Sequence, residues 1–389
     1  MDYKLFDADQ HYYEPEDAIH RHLEKAHRKL VRWVDLDGRR SLIVNEKLLS
    51  LIPNPTYDPV GVPGSLEKFY RAHNQDGQEM RDMIRMQPIQ PEYRSRAKRV
   101  ERLDAQGVEL AWVLPSLGLG LEEMLHTDPA GWHAVMRAYN RWLDDDWGYD
   151  RDGRIQTGPL LSFVDPLEAE QELARVLALG AKFVTLRPAP VAGDGPNRSP
   201  ADPAHDRVWA LAAEAGAVVA FHAADSGYGS LLKVWGESGR YLGQKQSTLS
   251  EVFSAHNERP ILETIAALVC HGVFDRHPRL RVACVELGAS WAVELVRGFK
   301  RAYGKMPQAF GRRDPVDTFH RHVWIAPFYE DDLRHVRGAI PPERMLLGSD
   351  WPHPEGLPEP RAALQDYAVL PENEQRLALR ENLKELSGR

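Results

Sequence analysis

The feature that most constrains this chain is a succession of short apolar runs, separated by helix-like stretches, several of which end in an ionisable residue. Such alternation is the pattern of βα units and a parallel sheet. The strand candidates are Lys4–Ala8, Leu110–Leu114, Ile155–Phe163, Lys182–Leu186, Val218–Phe221, Val282–Glu286, Val323–Ala326 and Met345–Leu347. Helix-like stretches near Arg96–Gln106, Trp132–Trp147, Pro166–Leu179, Asp206–Ala215, Ile261–Phe274, Trp291–Tyr303 and Glu330–Ala339 stand between them. Eight strand candidates in βα order predict an α/β chain folded as a (β/α)₈ TIM barrel with insertions. A doubly wound sheet alternates in the same way, but no G-x-G-x-x-G follows the first run.

One interruption breaks the alternation. About 85 residues separate His11 from Arg96, and they carry Pro53, Pro55, Pro59, Pro63, Gly61 and Gly64. In a barrel this segment leaves the C-terminal face, where active sites lie. The reading is one domain over residues 1–389 with an inserted lid over 12–95; an oligomer contact is the other use of such an insertion. A second long connection, Ala223–Arg259, leaves the end of the fifth strand. With 43% hydrophobic and 27% charged residues the chain has material for a large core. Lys+Arg 49 against Asp+Glu 57 gives a net charge of −8 with no basic run, which argues against nucleic acid or an anionic membrane as partner. No apolar stretch approaches the roughly 18 residues needed to span a bilayer. The opening MDYKLFDADQ carries no export pattern, and Cys270 and Cys284 are too few for a disulfide framework. The expectation is a cytoplasmic enzyme with a small-molecule substrate, and the insertion is compatible with a homodimer.

The ends of the runs carry the chemistry. In FDADQH, Asp7, Asp9 and His11 alternate, so Asp9 and His11 share one side of a strand end. The fifth run leads into His222, the sixth ends in Glu286, and the eighth leads into Ser349-Asp350-Trp351-Pro352-His353. Carboxylates closing apolar strands call for a cation or a hydrogen-bond cluster. Barrel strand ends converge on one mouth, so these residues form a mixed nitrogen and oxygen set suited to Zn²⁺, Fe²⁺ or Mn²⁺. Packed together without an ion, the carboxylates would raise one another's pKa.

The motifs DADQH, His222 after the fifth strand, VELGASW and GSDWPHPEG resemble the amidohydrolase superfamily, in the amidohydrolase-related branch that includes aminocarboxymuconate-semialdehyde decarboxylase. The resemblance runs from Phe6 to about Pro354. It implies a distorted barrel with a divalent metal at its mouth, held by Asp9, His11, His222 and Asp350, with Asp350 also moving a proton. Three departures stand out. The first-strand pair is Asp9-x-His11 where the family has H-x-H or E-x-H. Glu286 stands where its decarboxylases carry a histidine. The fourth strand ends in Leu186-Arg187, so no carboxylated lysine bridge is available.

The second departure shifts the expected reaction. A glutamate repels a substrate carboxylate, yet it would serve a second ion, or else orient His11 or His222. The leading expectation is therefore a metal-dependent hydrolase, with one or two ions and metal-activated water attacking an ester, thioester, amide or activated carbonyl. The alternative is a mononuclear, non-oxidative decarboxylase of an aromatic or muconate-like acid. His271 is either a packed histidine or an acid or base beside Asp350. Arg187, His353, Trp351, Tyr228 and His256 are the candidates for lining the substrate pocket.

Overall fold

The computed structural model describes residues 3–73, 77–191, 199–237, 248–253 and 257–389. The apolar runs form seven strands: β1 Leu5–His11, β2 Val108–Leu114, β3 Ile155–Thr157, β4 Phe183–Leu186, β5 Val218–His222, β6 Arg281–Val285 and β7 Val323–Ile325. All pair in parallel, in the orders β1-β2-β3 and β7-β6-β5-β4. Isolated parallel bridges continue the succession: Leu160 to Thr185, Ile325 to Met345 and Gln10 to Trp351. The chain from Met345 to Trp351 therefore runs between β7 and β1. Their near-continuous apolar sequences reflect burial on both faces, as helix-covered parallel strands require.

Two strand expectations shorten in the structure. The third stops at Thr157 because Gly158 and Pro159 follow, and proline has no N–H for a ladder. Met345–Leu347 forms single bridges instead of a ladder strand. Just beyond it, the Ser349 N–H goes to the Asp7 side chain at 3.1 Å and Pro352 offers none. Gly348 permits this close approach, since a Cβ there would sit 3.0 Å from the Asp9 Cβ and 3.1 Å from the Ala326 Cβ.

Among the described residues, seven longer helices separate the strands: α1 Arg96–Gln106, α2 Pro129–Asp146, α3 Pro166–Ala178, α4 Asp206–Ala215, α5 Glu258–Cys270, α6 Ser290–Lys305 and α7 Pro315–His322. Several start on side-chain caps: Asp128 accepts from Gly131 N, Asp165 from Leu167 N and Glu168 N, and Asp314 from Val316 N. No helix among the described residues is long and apolar enough to cross a membrane. One buried cluster takes Phe6 and Ala8 from β1, Leu110 and Trp112 from β2, Phe183 from β4, Val218 and Ala220 from β5, Ala283 and Val285 from β6 and Trp324 from β7. The strands thus share an interior, in which Trp112 stacks on Phe183 at 4.3 Å. That stack adds about 1 kcal/mol beyond its buried area.

Residues 12–95 hold structure of their own. Val31–Leu36, Arg39–Val44 and Lys47–Leu48 make an antiparallel sheet, turned at Asp37 and Gly38, both with positive φ. Val60–Gly61 pairs with Met86–Gln87, and Leu66 N donates to Pro354 O at 2.9 Å. The insertion therefore rests on the chain just beyond Asp350. Gly64 is required at this seam: its φ is +71° and a Cβ would meet the Pro358 backbone nitrogen at 2.7 Å. Gly64→Ala should destabilise the chain by about 2 kcal/mol or more. Chemical denaturation measures this, and parental stability would show that the seam yields.

Candidate metal centre

Each strand end delivers its residue by a different local device. In β5, Val218 and Ala220 face the interior, so alternation brings His222 inward as the last residue. In β1, Phe6 and Ala8 face the interior, so strict alternation would turn Asp9 and His11 away. A register shift between Asp7 and Gln10 places an extra residue there and returns both to the inside. Glu286 follows Val285, another interior residue, and a φ of +54° turns it inward. Asp350 adopts φ +53°. Left-handed backbone at non-glycine residues costs about 1–3 kcal/mol each and concentrates at functional sites.

These side chains meet. The His11 Nε2 lies 3.2 Å from Asp9 Oδ1, 3.4 Å from Glu286 Oε2 and 3.3 Å from Asp350 Oδ1. The His222 Nε2 lies 3.1 Å from Glu286 Oε2 and 3.5 Å from Asp9 Oδ1. Asp9, His11 and His222 are buried, while Glu286 keeps 20% of its side chain exposed towards the opening. Both imidazoles commit the other nitrogen to the backbone: His11 Nδ1–H donates to Pro115 O and His222 Nδ1–H to Ala223 O, each at 2.9 Å. Both Nε2 atoms therefore face carboxylate oxygens, which is repulsive unless a proton or a metal ion lies between them.

The His222 Nε2 is buried and makes no hydrogen bond, so its lone pair is free to act as a ligand. One ligand atom from each of Asp9, His11, His222 and Glu286 lies within 4.8 Å of the others, and His11, Glu286, Asp350 and His353 form a second such group. The two groups share His11 and Glu286, so they surround one volume. With nitrogen and oxygen donors and no thiolate, the set suits Zn²⁺, Fe²⁺ or Mn²⁺.

The charges leave their trace on proton affinities. Burial would lower His11, but Asp9 and Glu286 raise it to about 10. Burial would raise Asp9, but His11 and His222 hold it below the ordinary carboxylate range. Burial, then Glu286 and Asp9, push Asp350 well above its usual value. Glu355 rises to about 7 through burial and the charge of Glu286. His353 falls well below its usual value through burial, with the charges of His11 and His222 adding to it.

The remaining sequence candidates go to different places. His353 joins the group: its Nδ1 lies 2.6 Å from Asp350 Oδ1 and its Nε2 2.9 Å from Ser116 Oγ. Trp351 is buried in the structure behind the centre, with the Arg99 guanidinium 4.7 Å from its ring centroid and Tyr93 edge-on to it. Arg187 is taken up by Glu122 at 3.3 Å and Glu123 at 2.6 Å, and donates to Asp225 O. Tyr228 donates to Glu263 at 2.5 Å. His271 is not brought to the centre. It caps the end of α5, exposed, in a surface groove with Cys270, Asp275 and Arg313, because the helix ends there without bending towards the strands. His256 lies outside the described residues.

Two contributors, Ser116 and Glu14, carry no signal in the sequence, and a third, Asp7, stands in the FDADQH motif without an assigned role. Ser116, two residues beyond β2, was visible only as a polar residue after an apolar run. Glu14 sits three residues after His11, with no motif to single it out. Asp7 ties β1 to the closing segment: it accepts from Ser349 Oγ at 2.6 Å and Gln10 Nε2 at 3.0 Å.

With this geometry established, comparison with known proteins places the chain. The amidohydrolase family model matches residues 88–386, and the chain belongs to that family. It is similar to a crystallised amidohydrolase from Mycobacterium avium subsp. paratuberculosis K-10, at 39% identity over 100% of both chains with a TM-score of 0.94. More distant likeness of fold joins it to 5-carboxyvanillate decarboxylase from Sphingomonas paucimobilis, at 15% identity over 99% of each chain with a TM-score of 0.60. A dihydroxybenzoic acid decarboxylase from Polaromonas sp. JS666, with bound manganese and the inhibitor 2-nitroresorcinol, is 15% identical over 78% of this chain and 87% of its own, with a TM-score of 0.56.

Protein purified without chelator should carry about one equivalent of divalent ion per chain, and its removal should lower the melting temperature until the ion is restored. Elemental analysis with thermal melts checks this. About two equivalents would return the two-ion expectation, and no ion with no effect of added metal would remove the metal reading.

Proposed function

We propose that this chain is a metal-dependent enzyme on a distorted (β/α)₈ barrel that removes carbon dioxide, without oxidation, from a hydroxylated aromatic acid. The observation that carries this reading is the 2.6 Å contact between Asp350 Oδ1 and His353 Nδ1, which requires a proton between them. Ser116 Oγ lies 2.8 Å from Tyr12 O, which only accepts, so the hydroxyl proton is spent there. His353 Nε2, at 2.9 Å, must then donate to Ser116 Oγ. In a neutral His353 the Nδ1 is an acceptor, and its 2.6 Å contact requires a proton on Asp350. In a charged His353 the proton sits on Nδ1 instead. Either way the pair holds one transferable proton.

Loss of carbon dioxide from an arene uses such a proton. The pair delivers it to the ring carbon that bears the carboxylate. The carbon–carbon bond then breaks, its electrons return to the ring, carbon dioxide leaves, and the pair recovers a proton from solvent. Asp9, His11, His222, Glu286 and Asp350 would hold a divalent ion, which would supply positive charge to offset the negative charge of a bound acid. Tyr57 from the insertion stacks on Tyr13 at 4.4 Å, and Tyr13 lies 5.5 Å from the His353 ring. This aromatic stack gives residues 12–95 the part of a cover beside the proton-bearing pair. The decarboxylases that share the fold support the reaction class by analogy.

Two observations favour a second reading, hydrolysis of a neutral ester, thioester or amide. Arg187, the cation that would hold a substrate carboxylate, is engaged by Glu122 and Glu123, and Glu286 faces the centre as a carboxylate. In that case Asp350 takes a proton from water.

Incubation of the metal-loaded chain with hydroxylated benzoates should release carbon dioxide, and Asp350→Asn should lower the rate at least about 100-fold. Cleavage of esters or amides with no carbon dioxide from any acid would replace the proposal by the second reading. Near-parental turnover by Asp350→Asn would remove the proton-donor role.

A further inference from the structure

The outer nitrogens of two imidazoles at the centre rest on one short stretch of chain. Pro115 O takes the His11 Nδ1–H, and Ser116 Oγ takes the His353 Nε2–H, both at 2.9 Å. This stretch lies beyond β2, where the ladder no longer holds it. Glu14, only 1% exposed, holds it instead. Its Oε1 accepts the backbone N–H groups of Ser116 at 3.1 Å, Leu117 at 2.9 Å and Gly118 at 3.2 Å, and its Oε2 also accepts from Leu117 at 2.9 Å. The Tyr139 hydroxyl, from α2, donates to Oε1 in a short hydrogen bond. Three successive amides turned onto one anion form a nest, and only an acceptor with several lone pairs fills it.

We infer that Glu14 is a positioning residue for the cation centre. Its carboxylate clamps residues 116–118, and through Pro115 O and Ser116 Oγ it sets the ring orientation and tautomer of His11 and His353. The inference rests on the centre being a cation site and is independent of which reaction the chain performs. A glutamine at this position keeps the shape but turns an NH₂ group towards amide donors, so the stretch must shift and the imidazoles with it. Outer partners that orient ligand histidines typically change metal affinity about 10- to 100-fold.

The test uses the full chain and Co²⁺, whose visible absorption reports the arrangement of its ligands. Glu14→Gln should bind Co²⁺ at least about tenfold more weakly than the parent and shift the absorption bands of the bound ion. Tyr139→Phe removes one donor from Glu14 while leaving residues 115–118 themselves unchanged, and should weaken Co²⁺ binding in the same direction by a smaller factor. A folded Glu14→Gln chain with parental affinity and spectrum overturns the inference, whatever its melting temperature. Should Glu14→Gln fail to fold, Tyr139→Phe decides by the same two readings, and parental values overturn the inference. A parent chain that binds no Co²⁺ overturns the cation reading and this inference with it, whereas parental binding beside an unchanged variant overturns the inference alone.

Discussion

Three carboxylates and two imidazoles share one mostly buried volume, and much of the surrounding structure serves to keep that charge in place. Asp9, Glu286 and Asp350 stand within 3.5 Å of an imidazole nitrogen whose lone pair points back at them. Glu286 offers an oxygen within 4.8 Å of one from Asp9 and of one from Asp350, and like charges that close repel by several kcal/mol when water is excluded. Neither imidazole relieves this by turning, since each has its other N–H committed to a backbone carbonyl. The centre is complementary to a cation, and the raised proton affinities of His11 and Asp350 are the response of the same side chains when protons stand in for it.

Keeping such a group assembled requires rigid support from several directions. Asp7 joins β1 to the segment that carries Asp350 through Ser349, and Gln10 of the same strand donates to it as well. Arg99 binds the carbonyl of His11 at 2.5 Å and the Gln10 side chain at 3.3 Å, and its guanidinium lies 4.7 Å from the Trp351 ring centroid. A fully buried guanidinium is costly, and burial brings its pKa down to about 9; it is held by three hydrogen bonds and two indole rings. The left-handed backbone at Asp350 is held on both sides, by His353 N to Asp350 O at 2.9 Å and Leu357 N to Ser349 O at 2.8 Å. Strain of this kind persists where surrounding contacts over-determine it.

Much of this was legible along the chain, and the failures have physical causes. Helices α1 and α4 fall on the predicted residues because helical periodicity ends at Gly107 and Gly216, both in the left-handed conformation. The stretch Glu330–Ala339 shrinks to a single turn at Leu333–Val336. In the insertion, Asp37-Gly38 between two β-rich runs is a hairpin signal, hidden by the proline-rich sequence that follows. Arg187 stands at a strand end as expected, yet its charge is met by Glu122 and Glu123, more than 60 residues earlier in the chain. No local pattern announces a pairing at that separation.

The sequence by itself determined the inventory and its order: parallel strands from apolar runs, and Asp9, His11, His222, Glu286 and Asp350 at their ends. It did so because burial on both faces leaves few polar positions, so those that occur stand out. Only the tertiary structure decided which way each side chain points. His222 inherits its direction from strand alternation, but Asp9 and His11 need a register shift in β1, and Glu286 a positive φ after β6. Those features depend on the neighbouring strand and on packing across the fold, so no spacing rule along the chain contains them. The clamp of Glu14 on Ser116, Leu117 and Gly118 belongs to the same class, because backbone amides offer every sequence the same donors and only the fold selects which ones converge.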